Sequence, residues 1–269
     1  MTFDPHAGRH RMPVVFGPSA GPRQGPDGRS FDMSRAPRTS AAVSFLTERA
    51  RLEALLPPDC ELDGAPIVTV EHTMLRELEW LAGRGYNLLG VRFPVRYRGR
   101  EETARGPFLS VLWENRPEPI ITGREELGYA KLYCELPEPR VLRGSHCYAA
   151  SWDGHEFLRM EIGGLEDAQP PAAPATDGVL HYRYLPAISG AAPSVSEMVI
   201  SPSGGSPMRH RSFRRGTSRL AFVRSTWEQL PTMYHIVNAL ADLPVLEMTG
   251  AWMAETVGAK DLSDQRVLR

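Results

Sequence analysis

The sequence predicts a mainly β, α+β fold: an antiparallel sheet system, barrel or sandwich, with helices at its rim. Two observations carry this expectation. Short runs rich in Val, Ile, Leu, Thr and aromatic residues recur along the chain, bounded by Gly, Pro, Asn and Asp. The connections between them are short, and only two stretches have helical spacing.

The elements follow in order. Residues 1–37 are rich in Gly, Pro and Arg, have no periodicity, and form an extended N-terminal arm pinned through Met12-Pro13-Val14-Val15-Phe16. A helix is expected over residues 48–56, with Leu52, Leu55 and Leu56 on one face and Pro57-Pro58 as its stop. Strands are expected over 66–75, 86–98, 107–113, 131–136, 147–152, 156–162, 179–185, 195–200 and 218–224. Asp153-Gly154 joins two of them as a two-residue hairpin turn. Residues 169–178 read as a Pro/Ala surface loop and Gly204-Gly205 as a turn. A helix over 227–240 and a strand over 244–252 close the fold, and the tail from Lys260 is expected to fray. We therefore expect an arm (1–37), one domain (38–258) and a tail (259–269).

Composition narrows the function. A chain of 269 residues with 42% hydrophobic positions can build a substantial core. No apolar run is long enough for a membrane helix, and the N-terminus lacks the apolar region of a secretion signal. Cys60, Cys134 and Cys147 form no C-x-x-C and are read as reduced thiols of a cytoplasmic protein. A net charge of -1 argues against a nucleic-acid partner. The basic segment Arg209-His210-Arg211-Ser212-Phe213-Arg214-Arg215 is read as a solvated turn. Gly17-Pro18-Ser19-Ala20-Gly21 matches G-x-S-x-G but lacks the preceding strand that would expose its serine. His146, Cys147 and His155 fit no zinc spacing, so no metal is expected.

One count is more pointed. Of 31 basic residues, 29 are Arg and two are Lys, Lys131 and Lys260. Lysine can lose its proton and attack a carbonyl, which arginine cannot. Lys131 opens an expected strand, flanked by Ala130, Leu132 and Tyr133, with Gly128 permitting close backbone approach. An ordinary lysine has about one neutral amine in 2,500 at pH 7, and burial among apolar groups penalises the ammonium form. The alternative is an exposed strand lysine.

The segment also resembles the acetoacetate decarboxylase superfamily. Gly123-Arg124-Glu125 followed by Tyr129-Ala130-Lys131 is similar to that family's G-R-E and aromatic-Pro-Lys hallmark, with Ala130 in place of proline. Met12-Pro13 with Phe16-Gly17-Pro18, Glu118-Pro119-Ile120-Ile121, Arg183-Tyr184-Leu185-Pro186 and Ala241-Asp242-Leu243-Pro244-Val245-Leu246-Glu247 extend the likeness in order along the chain. The resemblance implies a cone-shaped, mostly antiparallel, barrel-like sheet with flanking helices, assembled as a homo-oligomer. It implies that Lys131 forms a Schiff base with an oxo-acid substrate and that no cofactor is required. It aligns Arg38 with a carboxylate-binding arginine and Glu71 with a strand glutamate that, with Tyr129, would shuttle a proton. Two positions depart from the family pattern. A second glutamate falls on Leu88, and the lysine that follows the nucleophile is Leu132. Both are expected to border the substrate.

Three functions remain open from the sequence. The leading one is a lyase that decarboxylates a small oxo acid. The second is an aldolase, dehydratase or cyclase using the same lysine on a 2-oxo acid. The third is a small-molecule binding protein without chemistry on the same fold.

Overall fold

The alternation of apolar residues becomes one large mixed sheet. The computed structural model describes residues 4, 6–172, 175–205 and 208–269, so part of the expected loop at 169–178, residues 173–174, lies outside the described residues. Along the chain run β1 (Pro37–Leu46), α1 (Arg49–Glu53), β2 (Cys60–Leu62), β3 (Ile67–Leu78), β4 (Arg84–Arg98) and β5 (Thr103–Glu114). Then follow α2 (Pro117–Glu125), β6 (Lys131–Tyr133), β7 (Arg140–Leu142), β8 (Ser145–Trp152), β9 (His155–Asp167) and β10 (Gly178–Leu185). The rest are β11 (Val195–Pro202), β12 (Arg209–Phe222), α3 (Tyr234–Ala241), β13 (Glu247–Val257) and β14 (Arg266–Val267).

The strand order is β14-β11-β10-β5-β4-β3-β1-β13-β12-β9-β8-β7, with β2 added to β4 and β6 to β5. Pairings are antiparallel except β5 with β6 and β5 with β10. The β-rich architecture is as expected. The sheet is open rather than closed into a barrel, with β14 and β7 as its two ends.

Period-2 alternation places the core and the site on opposite faces of β4. Leu89, Val91, Phe93 and Val95 are buried in the core, while Tyr86, Leu88, Gly90 and Arg92 line a cavity on the other side. Asp153 and Gly154 both have positive φ, 47° and 79°, as the expected hairpin turn between β8 and β9 requires.

Several elements differ from expectation for identifiable reasons. β1 has no clear alternation, because it lies between β3 and β13 and buries Ala41, Ala42 and Val43 consecutively. The basic segment at 209–215 is no turn. It is the first half of β12, hydrogen-bonded to β13 and β9, since backbone pairing is indifferent to the charge of outward side chains. α3 starts at Tyr234 rather than near 227, because Pro231 would lack an N–H inside a helix. α2 was not foreseen; Pro117 sits at its start, where a missing N–H costs nothing.

Both chain ends are held more firmly than the sequence suggests. Met12, Val15 and Phe16 are exposed and pin nothing. The arm is instead held by Arg9, Arg11 and Arg23, which converge on Glu126 at 3.5, 3.3 and 4.0 Å. The tail does not fray: β14 pairs with β11, Leu268 is buried, and the Arg269 carbonyl accepts the N–H groups of Glu101 and Glu102 at 3.1 Å.

Candidate active site

Strand register brings the candidate residues to one row. Glu71 of β3 pairs with Gly90 of β4, Gly90 with Leu112 of β5, and Leu112 with Lys131 of β6. Glu71 and Lys131 thus bound the two sides of a cavity of about 420 Å³. Gly90 carries no side chain, and Leu109 and Leu112 lean over it. Their methyl groups form an apolar floor between the two polar sides.

On one side, Lys131 is buried with 6% of its side chain exposed. Its Nζ lies 2.8 Å from Glu114 Oε1 and donates to the Pro119 carbonyl at 3.0 Å. Glu114 ends β5 and is completely buried. Among the described residues, no further donor reaches either of its oxygens. Burial pushes the Glu114 carboxyl up from its ordinary pKa, and the attraction of Lys131 opposes that shift. A carboxylate with raised proton affinity in contact with an amine is equipped to exchange a proton with it.

The hallmark residues build the seat of this lysine. A Cβ on Gly123 would lie 2.2 Å from Lys131 Cδ and 2.6 Å from Nζ, so only glycine leaves the side chain its channel. Arg124 donates to the Lys131 carbonyl at 2.8 Å and fixes the start of β6. Gly128, expected to allow close approach to the lysine, instead faces Arg183 and supplies a positive φ of 76°.

On the other side, Arg38 and Arg92 grip Glu71 at 3.0 and 2.5 Å. Burial alone would raise the Glu71 pKa, but Arg92, Arg38 and the hydroxyls of Thr73 and Ser40 outweigh it and bring the value to about 2. A carboxylate held so firmly ionised is a poor proton shuttle at neutral pH, so the expected shuttle role does not fit Glu71. Its geometry suits orienting the two guanidiniums.

Tyr129 also departs from expectation. Its hydroxyl is 2.7 Å from Ser201 Oγ, and its ring centroid is 5.7 Å from Lys131 Nζ. The amine meets the aromatic face and not the phenol. Leu88 borders the cavity as expected. Leu132 does not. It follows Lys131 in a strand, so it points to the opposite face and packs against the core. Lys260, placed by the sequence in a frayed tail, also lines the cavity. Its Nζ is tied to the Pro202 carbonyl at 2.6 Å and Asp264 at 2.5 Å.

Sequence reasoning missed Glu114 and Arg92. Arg92 carries a usable signal, because it shares the β4 face of Leu88. Glu114 lies 17 residues before Lys131, and only the parallel β5–β6 pairing unites them. Among the described residues, no group of three or more His, Cys, Asp and Glu side chains is arranged to hold a metal ion.

Beneath the site lies a neutral histidine. His181 Nδ1 is 3.1 Å from the Gly128 carbonyl, and the ring packs against Tyr129 at a tilt of 32°, with centroids 4.1 Å apart. Burial brings its pKa down to about 4, against the pull of that hydrogen bond. His72 is likewise brought to about 4 by burial, with Arg76 adding to the effect. Unfolded histidines take up a proton near pH 6.5, and these two resist it when folded. Their contribution to stability is therefore complete above pH 6.5 and is lost as pH falls through about 4. The loss amounts to on the order of 3 kcal/mol for each ring. Denaturant midpoints measured from pH 7.5 to 4 should fall, and His72→Phe should flatten the curve. An equal slope in that variant would assign the acid sensitivity elsewhere.

Comparison with known proteins adds the family. The family model described as acetoacetate decarboxylase matches residues 11–265. A structure from structural studies of acetoacetate decarboxylase superposes with a TM-score of 0.67 at 17% identity, covering 87% of this chain and 89% of its own. The acetoacetate decarboxylase of Legionella pneumophila subsp. pneumophila str. Philadelphia 1 gives 0.65 at 17% identity, covering 92% of this chain and 94% of its own. The enduracididine biosynthesis enzyme MppR, in complex with pyruvate, gives 0.66 at 14% identity, covering 91% and 95%. At such identities these structures testify to the fold alone. No curated protein matches the chain.

Proposed function

From the premise that this chain belongs to the acetoacetate decarboxylase family, we propose that it is a Schiff-base lyase acting on an oxo acid through Lys131. The observation that carries the reading is the enclosed contact of Lys131 with Glu114, 2.8 Å apart at the wall of a cavity. Glu114 accepts a proton from the ammonium. The freed amine attacks the substrate carbonyl, and the carbinolamine loses water to give an iminium. The iminium is an electron sink. When a carboxylate carried by the carbon next to the iminium carbon leaves as CO2, the electron pair of its bond forms a double bond to the iminium carbon, the nitrogen takes up the displaced pair, and an enamine remains. Protonation on carbon and hydrolysis then return the product ketone and the lysine. Arg38 and Arg92, oriented by Glu71, face the cavity where a substrate carboxylate can be bound.

One observation favours a second reading on the same imine. Two guanidiniums share a single carboxylate, which leaves a net positive charge on that wall. This charge stabilises a carboxylate that stays attached, and Leu88 offers no negative charge to expel it. Aldol addition or dehydration of a 2-oxo acid uses the enamine formed when the same iminium loses a proton from its neighbouring carbon to a base, and CO2 is retained.

The test is borohydride trapping with a panel of 2-oxo and 3-oxo acids, read by intact mass and peptide mapping. The wild-type protein should gain one reduced imine, on Lys131. Lys131→Arg should lose it entirely, and Lys260→Arg should retain it. An adduct that survives in Lys131→Arg and maps to Lys260 would transfer the role. No adduct with any acid would leave the binding-protein reading. CO2 release then separates decarboxylation from aldol chemistry.

A further inference from the structure

The cavity extends well beyond the row that holds Lys131. On β4 the cavity-facing residues run from Arg92 through Gly90 and Leu88 to Tyr86. Gly90 and Tyr86 are four residues apart, about 13 Å along an extended strand. The partners of this stretch on β3 change in character with it. Glu71 stands opposite Gly90, while Leu75 stands opposite Tyr86. Leu78 and Trp80 complete that end, with the Trp80 and Tyr86 rings 6.4 Å apart. Arg38 pairs with Leu75 by register, and its guanidinium turns back to hydrogen-bond Ser40 and Glu71.

This region is not interior already filled by the fold. Leu75, Trp80, Tyr86 and Leu88 are only partly buried, and all border the empty volume. A cavity of about 420 Å³ lies in the range that encloses whole small molecules, well above what a four-carbon oxo acid occupies. An apolar chamber of this kind gains little from water and much from hydrocarbon.

Resting on the imine reading, we infer that the substrate is an oxo acid carrying an apolar alkyl or aryl substituent. Its carboxylate lies toward Arg38 and Arg92, its carbonyl at Lys131, and its substituent along β3 and β4 against Leu75, Trp80 and Tyr86. The chamber is the specificity determinant, and selection is by hydrocarbon length.

The experiment uses straight-chain oxo acids of four, six and eight carbons in both the 2-oxo and 3-oxo series. The concentration that half-saturates borohydride trapping is measured for each. It should fall about fourfold for each added methylene, about 200-fold from four carbons to eight. Leu75→Asp and Trp80→Asp should flatten that slope. Butanoate and octanoate, which lack the ketone, provide a readout independent of imine formation: octanoate should bind more tightly by calorimetry. Equal saturation across the series, or loss of the adduct beyond four carbons, overturns the inference while the imine reading stands. A length preference among the alkanoates without any oxo-acid adduct supports the chamber and overturns the imine.

Discussion

Glu114→Gln should lower turnover by roughly 10²- to 10⁴-fold, the usual contribution of a positioned acid–base group. Gln retains the shape of the side chain but cannot take the proton that Lys131 must shed before it attacks. The effect on stability is separable. Removing one partner of a buried ion pair leaves a buried charge uncompensated, which typically costs about 3–5 kcal/mol. In Glu114→Gln that charge is the Lys131 ammonium, since no other carboxylate is paired with it among the described residues. Adding Lys131→Met should restore part of the lost stability while leaving no adduct. A double-mutant cycle from denaturant midpoints would show this coupling. Wild-type turnover in Glu114→Gln would mean that another base deprotonates the lysine.

Gly123→Ala should produce a protein that folds but reacts poorly. The added Cβ falls 2.2, 2.3 and 2.6 Å from Cδ, Cε and Nζ of Lys131. Those atoms are the far end of a flexible side chain, so the lysine yields and the backbone does not. Displacement from Glu114 and Pro119 by about 1 Å is sufficient to cost on the order of 10²-fold in the rate of imine formation. The trapping rate measures this directly, and thermal unfolding should show a much smaller change. A variant that traps at the wild-type rate would show that the lysine does not need its present channel. Arg38 and Glu71 are remote from this clash, so the variant separates lysine placement from carboxylate recognition.

The expectations that held and those that failed divide along physical lines. Strands β4, β8 and β9 were legible because each has contrasting faces, which is what periodicity detects, while β3, β10 and β11 were legible as runs of β-branched, aliphatic and aromatic residues bounded by turn residues. β1 was invisible because burial on both faces removed the contrast. The first half of β12 was misread as a turn because its exposed charges were taken to mark a loop, whereas its backbone pairs along β13 and, from Arg214, with β9 as well. Leu132 was placed at the site because it stands where the family has a lysine after the nucleophile, whereas neighbours in a strand point apart.

The amino-acid order by itself determined the β-rich class and the candidacy of Lys131, which rest on local pattern and residue chemistry, and its resemblance to a family supplied the candidacy of Arg38 and Glu71. Tertiary structure decided which carboxylate meets the amine, which glycine makes room for it and which wall is apolar. Each of these depends on register between strands distant in sequence. Glu114 and Lys131 become neighbours only through the parallel pairing of β5 with β6, a contact no local window contains.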